Sequence, residues 1–530
     1  MRVVSAPEAV ARIRSGATVA VGGGGTLLEV ADGLLAALAA RYSEVGEPRD
    51  LTVVHAMGLG DNAARGLNRL AKPGLVTKLI GSHYGHNPDL ARFIAGDKVQ
   101  AFGVPAGVLV QLYREIAGHR PGVITKVGLG TYVDPRQDGG RLNSATVGSI
   151  TEIVEVAESE WLLYRSFGID VALIRATTAD ENGNLTMDDE AGLGDNLAVA
   201  SAVHNCGGTV IAEVKWLARG GTLPARSVSV PGILVDVVVV KPDQWQTPLE
   251  NYSPFLSGQL RAPAAAIPVL PLDERKLIAR RAALELLRLP SGAVCNLGYG
   301  ISSGVASVLA EEGIYDRVVP TLEQGIIGGV PGTGLNSGTA TNASAMIDEG
   351  AQFDLYDGGG LDVCCVSFGE VDEAGNVNVS RLGTQVAGPG GFINITQNAK
   401  QVIFCGTVRG GGMKVGVRGD RMTVVQEGRY PKFVKEVGQV TFSAARAIKD
   451  GRAITYVTER AVLRLTTNGL MMVEVASGLD VERDVLAHME FRPRIAEVLS
   501  TTDARVYNKG PMQIAEDLVK GGRGESRGTR

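Results

Sequence analysis

One stretch of this chain occurs twice. Ile169 to Leu185 and Leu361 to Val377 align without a gap, and six of the seventeen positions are identical. Each copy opens on an apolar run, Val171-Ala172-Leu173-Ile174 or Val363-Cys364-Cys365-Val366, of the length of a buried strand. Each closes on Asp180-Glu181-Asn182-Gly183-Asn184 or Asp372-Glu373-Ala374-Gly375-Asn376, where the Gly-Asn pair supplies a tight turn. A chain that repeats a strand and its turn in this way folds as two similar units.

A second echo supports the first. Ser15 to Gly24 and Ser291 to Gly300 both read as a strand running into glycines, followed by a helical pattern. In the first copy Leu27, Leu28, Val30, Leu34, Leu35 and Leu38 supply the apolar side of that helix; in the second Val305, Val308 and Leu309 do. Residues 7–15 also carry helical spacing, and a helix from Asp273 to Leu287 opens the second half. Strands such as Leu51-Thr52-Val53-Val54 alternate with glycine turns and helices, the order that builds a mainly parallel sheet.

The fold class is therefore α/β, with two tandem, structurally similar domains and mainly parallel sheets. The glycine turns lie 276 residues apart but the Asp-Glu turns only 192, so the first copy carries extra chain, assigned to 52–150. Six prolines from Pro242 to Pro271 mark an extended linker. The expected boundaries are 1–245, a linker at 246–272, 273–520, and a disordered tail at 521–530 without large apolar side chains.

Composition narrows the function. At 530 residues, 45% hydrophobic and 21% charged, the chain has the balance of a soluble globular protein, and a net charge of −5 gives no basic field for nucleic acid. Five cysteines, mostly inside apolar runs, read as core thiols of a reducing compartment. The start of the chain lacks the apolar core of a signal peptide, and no window reaches eighteen apolar residues. A cytoplasmic protein with no membrane partner is expected.

Chemistry concentrates in the second copy. The strand-like Val318-Val319-Pro320-Thr321-Leu322 stops at one carboxylate, Glu323, followed by Gly325, Gly328, Gly329, Gly332 and Gly334. Open α/β sheets place their chemistry at such strand ends. Two further glycine turns, Gly298-Tyr299-Gly300 and Gly388-Pro389-Gly390-Gly391-Phe392, converge on the same edge of a sheet if all three follow strands. An ionised carboxylate needs no general base, and preorganised N–H groups stabilise a developing oxyanion by roughly 3–4 kcal/mol each. These are parts for acyl transfer through a glutamyl intermediate; glycines serving only tight turns is the plainer alternative.

Other readings fit less well. Gly298 to Gly304 approaches a dinucleotide fingerprint with Glu323 as the ribose-binding acid, but the last glycine comes one residue late. His83-Tyr84-Gly85-His86 lacks further ligands at metal spacing and reads as a polar turn. Gly300-Ile301-Ser302-Ser303-Gly304 matches a nucleophile elbow, yet His488 is the only later histidine, and the other match, at Ser526, lies in the tail.

Taken in order, Gly298-x-Gly300, Glu323-Gln324-Gly325, Asp357 to Asp362 and Gly388-Pro389-Gly390-Gly391-Phe392 resemble the family I coenzyme A-transferases, in the single-chain acetate, propionate or 3-oxoacid type. The resemblance runs from about Ala9 to Val506 and takes in the loop at 130–136 and Trp245-Gln246-Thr247. It implies that Glu323 is the nucleophile, that Gly390 and Gly391 supply oxyanion N–H groups, and that Gly298, Gly300, Gly388 and Lys400 contact coenzyme A. It further implies CoA as a substrate, with no tightly bound cofactor, a short-chain carboxylate as acceptor, and a homodimer or homotetramer. The first copy has no counterpart of Glu323, which fits a half that shapes the site. A thioesterase, or the acyl-transfer subunit of a decarboxylase or lyase complex, is the alternative on the same scaffold.

Overall fold

The computed structural model describes residues 1–263 and 269–517. The expected tail at 521–530 and residues 264–268 of the expected linker lie outside the described residues. The chain divides into two compact units, the first made of Met1–Arg261, Leu322–Gly358 and Val379–Gln397, the second of the remainder. The units are thus not two contiguous stretches: Glu323 and the 388–391 loop fold with the first.

The first unit is built on a parallel sheet of β1 (Thr18–Val21), β2 (Leu51–His55), β3 (Val76–Gly81), β4 (Gln100–Gly103), β5 (Val171–Asp180), β6 (Thr209–Ala218) and β7 (Val237–Val240). Its order is β7-β6-β5-β1-β2-β3-β4, with Arg2–Val3 added beside β7. Strands in such a sheet are covered on both faces, and β5 is buried along almost its whole length.

The second unit repeats that plan with β8 (Ala293–Leu297), β9 (Val318–Leu322), β10 (Val363–Ser367), β11 (Gln401–Cys405) and β12 (Ala453–Val457), in the order β9-β8-β10-β11-β12. Three further strands, Ala461–Thr466, Gly469–Val475 and Arg494–Thr501, extend it. The two copies pair in the same register. Val19 faces Val171 as Cys295 faces Val363, and Val171 faces Thr209 as Val363 faces Gln401.

The repeated turns are closed by the same bonds. Asp180 N–H donates to Asn184 O at 3.0 Å and Asp372 N–H to Asn376 O at 3.1 Å, while each aspartate also takes its asparagine's side-chain amide. Sequence identity at these positions therefore reflects one turn geometry used twice. Among the cysteines, Cys295, Cys364, Cys365 and Cys405 are fully buried and free, whereas Cys206 is exposed.

Two expected helices differ. Apolar spacing places a helix from Leu27, but the observed helix is Asp32–Val45. Leu27 and Glu29 have φ of 54° and 53°, and Gly24 and Leu28 exchange backbone hydrogen bonds of 2.8 and 3.0 Å. Residues 22–31 are a buried loop that turns both leucines and Glu29 inward, and helical spacing alone does not distinguish that from a helix face. The helix expected over 7–15 is confined to Ala6–Val10. The helix Glu274–Leu286 matches its expectation, with the Asp273 side chain capping the N–H groups of Arg275 and Lys276.

The expected linker also differs at its start. Gln246 and Thr247 are 2% and 1% exposed, and buried polar side chains require partners. Gln246 finds them at Asp189 O and Ser253 N, Thr247 at Asn336 Oδ1. Residues 246–261 are therefore part of the first unit's fold. Among the described residues no helix is long and apolar enough to cross a membrane.

Candidate active site

Glu323 is the first residue after β9, where the chain turns into the short hairpin of Ile326–Ile327 and Ala345–Met346. Its side chain is half-buried, and its carboxylate accepts the Gly391 N–H. Gln324 Nε2 lies 3.4 Å from Glu323 Oε1. Burial raises the Glu323 carboxyl to about 7, against the opposing pull of Gln324 and the Gly391 N–H.

The 388–391 loop is stitched to the end of β3. Gly390 N–H donates to Ser82 O at 3.0 Å, Tyr84 N–H to Ala387 O at 2.7 Å, and Ala106 N–H to Gly390 O at 2.9 Å. Gly388 has φ of 76°, and a Cβ there would overlap Ser82 O. A Cβ on Gly391 would overlap Glu323 Oε2 and come within 3.2 Å of Phe353 Cε1. Only glycine admits the carboxylate so close to the backbone.

These bonds correct part of the expected site. The Gly390 N–H, expected to face an oxyanion, is already committed to Ser82 O. Gly388 likewise gives its N–H to Ser380 O at 2.9 Å. Of the two expected oxyanion donors, Gly390 and Gly391, only Gly391 points its N–H at Glu323; Gly390 and Gly388, the latter expected as a coenzyme A contact, use their N–H groups to hold the loop in shape.

Behind Glu323 lies a layer of acids that sequence reasoning missed. Glu29 is 1% exposed, burial raises it to about 8, and the Glu190 carboxylate adds to the rise while Arg175 opposes it. Asp195, which accepts the Gly23 N–H at 2.9 Å, is raised to about 7, again by burial first. Glu349 opens the helix Glu349–Asp357, and neither carboxyl oxygen has a hydrogen-bond partner among the described residues. Burial, then the charges of Asp195 and Glu323, push its carboxyl well above the usual range. Their only sequence signal is that Glu29 interrupts the apolar run from Leu27 to Ala31. Gln324 is packed nearby, with its Cγ 3.3 Å from where a Cβ on Gly24 would stand.

Gly298, Gly300 and Lys400 belong to the second unit. Gly298 N–H donates to Cys365 O, and Ser302 Oγ returns a bond to Gly298 O at 2.9 Å. Ser302 thus closes its own turn, which removes the nucleophile-elbow reading. Lys400 Nζ pairs with Asp362 Oδ1 at 2.7 Å and is 65% exposed. No group of three or more His, Cys, Asp or Glu among the described residues is arranged to hold a metal ion.

A parallel α/β scaffold with a strand-end carboxylate against a glycine N–H is the arrangement of an acyl-transfer enzyme. Comparison with known proteins narrows that class. The profile of the family described as Coenzyme A transferase matches residues 3–241. The caffeate CoA-transferase of Acetobacterium woodii is 44% identical over 516 residues, covering 96% of this chain and 98% of that protein. The acetate CoA-transferase YdiF of Escherichia coli K12 is 43% identical over 509 residues, covering 95% of each. The structure of the acyl-CoA transferase YdiF from Escherichia coli O157:H7, in a thioester complex with CoA, superposes with a TM-score of 0.90 at 41% identity, over 96% of this chain and 97% of that one. The chain belongs to the coenzyme A-transferase family, in its single-chain form.

Proposed function

We propose that Glu323 carries CoA covalently as this transferase moves it between a short-chain acyl-CoA and a carboxylic acid of the acetate, propionate, butyrate or acetoacetate class. The observation that carries the reading is a half-buried carboxylate, raised to about 7, held against the Gly391 N–H. A carboxylate of higher pKa is the stronger nucleophile, and an amide already bonded to that carboxylate suits the oxyanion that forms on the glutamyl carbonyl when thiolate attacks it.

The Glu323 carboxylate attacks the acyl-CoA carbonyl and expels CoA thiolate, leaving a mixed anhydride. The thiolate then attacks the glutamyl carbonyl, which releases the first carboxylate and forms a glutamyl-CoA thioester. The acceptor carboxylate attacks that thioester, and the returning thiolate takes the new acyl group and frees Glu323. Anhydride formation is uphill in water, so CoA binding away from the reacting bond must supply the difference. Gly391 is the oxyanion donor in this reading, and Gly298, Gly300, Gly388 and Lys400 are contacts for CoA. Two relatives are named for caffeate and acetate, both carboxylic acids, which supports a carboxylic acid as substrate, and the thioester complex of YdiF supports a thioester intermediate. A homodimer or homotetramer is part of the reading and is tested by light scattering.

The deciding experiment is incubation with acyl-CoA, borohydride reduction and peptide mass spectrometry. The expected result is a glutamate reduced to its alcohol on the peptide containing Glu323. Reduction at another residue, or at none, sinks the assignment.

A further inference from the structure

Three of the chain's six histidines, His55, His83 and His86, gather where β3 meets the 388–391 loop. His55 is internal: its Nδ1 lies 2.7 Å from Met57 O, and its ring meets Tyr84 edge-on at 5.0 Å. His83 is placed differently. Its side chain is half-buried, and its Nδ1 is walled off without a hydrogen-bond partner among the described residues.

The ring stands beside the two glycines that hold the nucleophile. A Cβ on Gly390 would lie 3.8 Å from His83 Cδ2, while a Cβ on the next residue, Gly391, would overlap Glu323 Oε2. The backbone on either side of His83 is pinned to this same loop, through Ser82 O to Gly390 N and Tyr84 N to Ala387 O. Gly85 keeps the ring's far edge clear, since a Cβ there would press to 2.9 Å of His83 Cε1. The centroid of His86 is 4.6 Å away on another side.

A neutral imidazole carries one N–H. Leaving a buried lone pair unmatched costs less than leaving a buried N–H unmatched, so the enclosed Nδ1 favours the tautomer with its proton on Nε2, the half-open edge. Burial, followed by the neighbouring His86 and His55, holds the ring well below its usual pKa, which keeps that donor uncharged. An uncharged donor attracts a carboxylate oxygen without forming an ion pair that would quench Glu323.

We propose that His83 is a substrate-contacting residue of this transferase, its Nε2–H donating a hydrogen bond to the carboxyl group of the acid substrate beside the Gly390–Gly391 peptide. This rests on the reading of Glu323 as the nucleophile. His83 then governs how well the acid is held, not whether CoA is.

The test uses the full-length enzyme charged with CoA in a single turnover, varying acetate concentration, for the wild type, His83→Met and His83→Gln. Losing a hydrogen bond to a charged group corresponds to roughly 10- to 100-fold in binding. His83→Met should still form the thioester on Glu323 but require that much more acetate for half-maximal discharge. His83→Gln, which restores an uncharged N–H donor, should recover most of the loss. Discharge of the His83→Met thioester at wild-type acetate concentrations overturns the proposal, as does a Gln variant no better than Met. Absence of the adduct in the wild type instead overturns the Glu323 assignment, so the two failures are told apart.

Discussion

A side chain on Gly391 would occupy the space taken by the Glu323 carboxylate, so these two residues define the reactive position jointly. Replacing Gly391 by alanine forces the carboxylate aside while leaving its chemistry intact. Displacement of about 1 Å costs on the order of a hundredfold in rate, so Gly391→Ala should lower kcat by at least about that much. Steady-state kinetics beside a circular dichroism spectrum check this; a folded variant with near wild-type turnover contradicts the geometry.

Shortening the Glu323 side chain tests the same relationship from the other side. Glu323→Asp withdraws the oxygen by one methylene from the Gly391 N–H and should also cost at least about a hundredfold. Glu323→Gln should abolish the covalent adduct altogether. Retention of turnover in either variant assigns the nucleophile elsewhere.

The pH profile follows from burial at Glu323. With its carboxyl raised to about 7, only the ionised fraction attacks. kcat/KM for acyl-CoA should therefore rise about tenfold per pH unit below that value and level off above it. A flat profile between about pH 5.5 and 8 is incompatible with a titrating Glu323.

The acid layer predicts an opposite trend in stability. Glu29 is raised from 4.5 to about 8, so the folded state binds its proton more tightly than the unfolded state does. That contribution is complete below 4.5 and is lost as pH rises through about 8. Glu29→Gln removes the titration, so between pH 6 and pH 9 it should lose less stability than the wild type, by about 3 kcal/mol, and its melting temperature should fall less. Thermal melts at pH 6 and 9 check it; parallel decline in both proteins argues against a proton on Glu29.

The legible part of this protein was local. Strand runs, the Asp-Glu-x-Gly-Asn turns and the strand-end position of Glu323 are all written in short stretches, and the structure reproduces them in matching register. The loop at 22–31 was misread because Leu27 and Leu28 are buried either as a helix face or as a turn, and apolar spacing is the same for both. The role of Gly390 was misjudged for a related reason: the motif names a glycine but not the partner of its N–H, and that partner, Ser82, comes from the other end of the chain.

The positions of the strands along the chain and the place of Glu323 at a strand end were determined by the amino-acid sequence, since backbone propensity and apolar periodicity act over a few residues. The tertiary structure alone decided which N–H remains for Glu323, which acids stand behind it and how far burial lifts its pKa. Desolvation and hydrogen-bond partnership depend on segments far apart in the chain being brought together, here 82–84, 323 and 388–391, and no local pattern encodes that meeting.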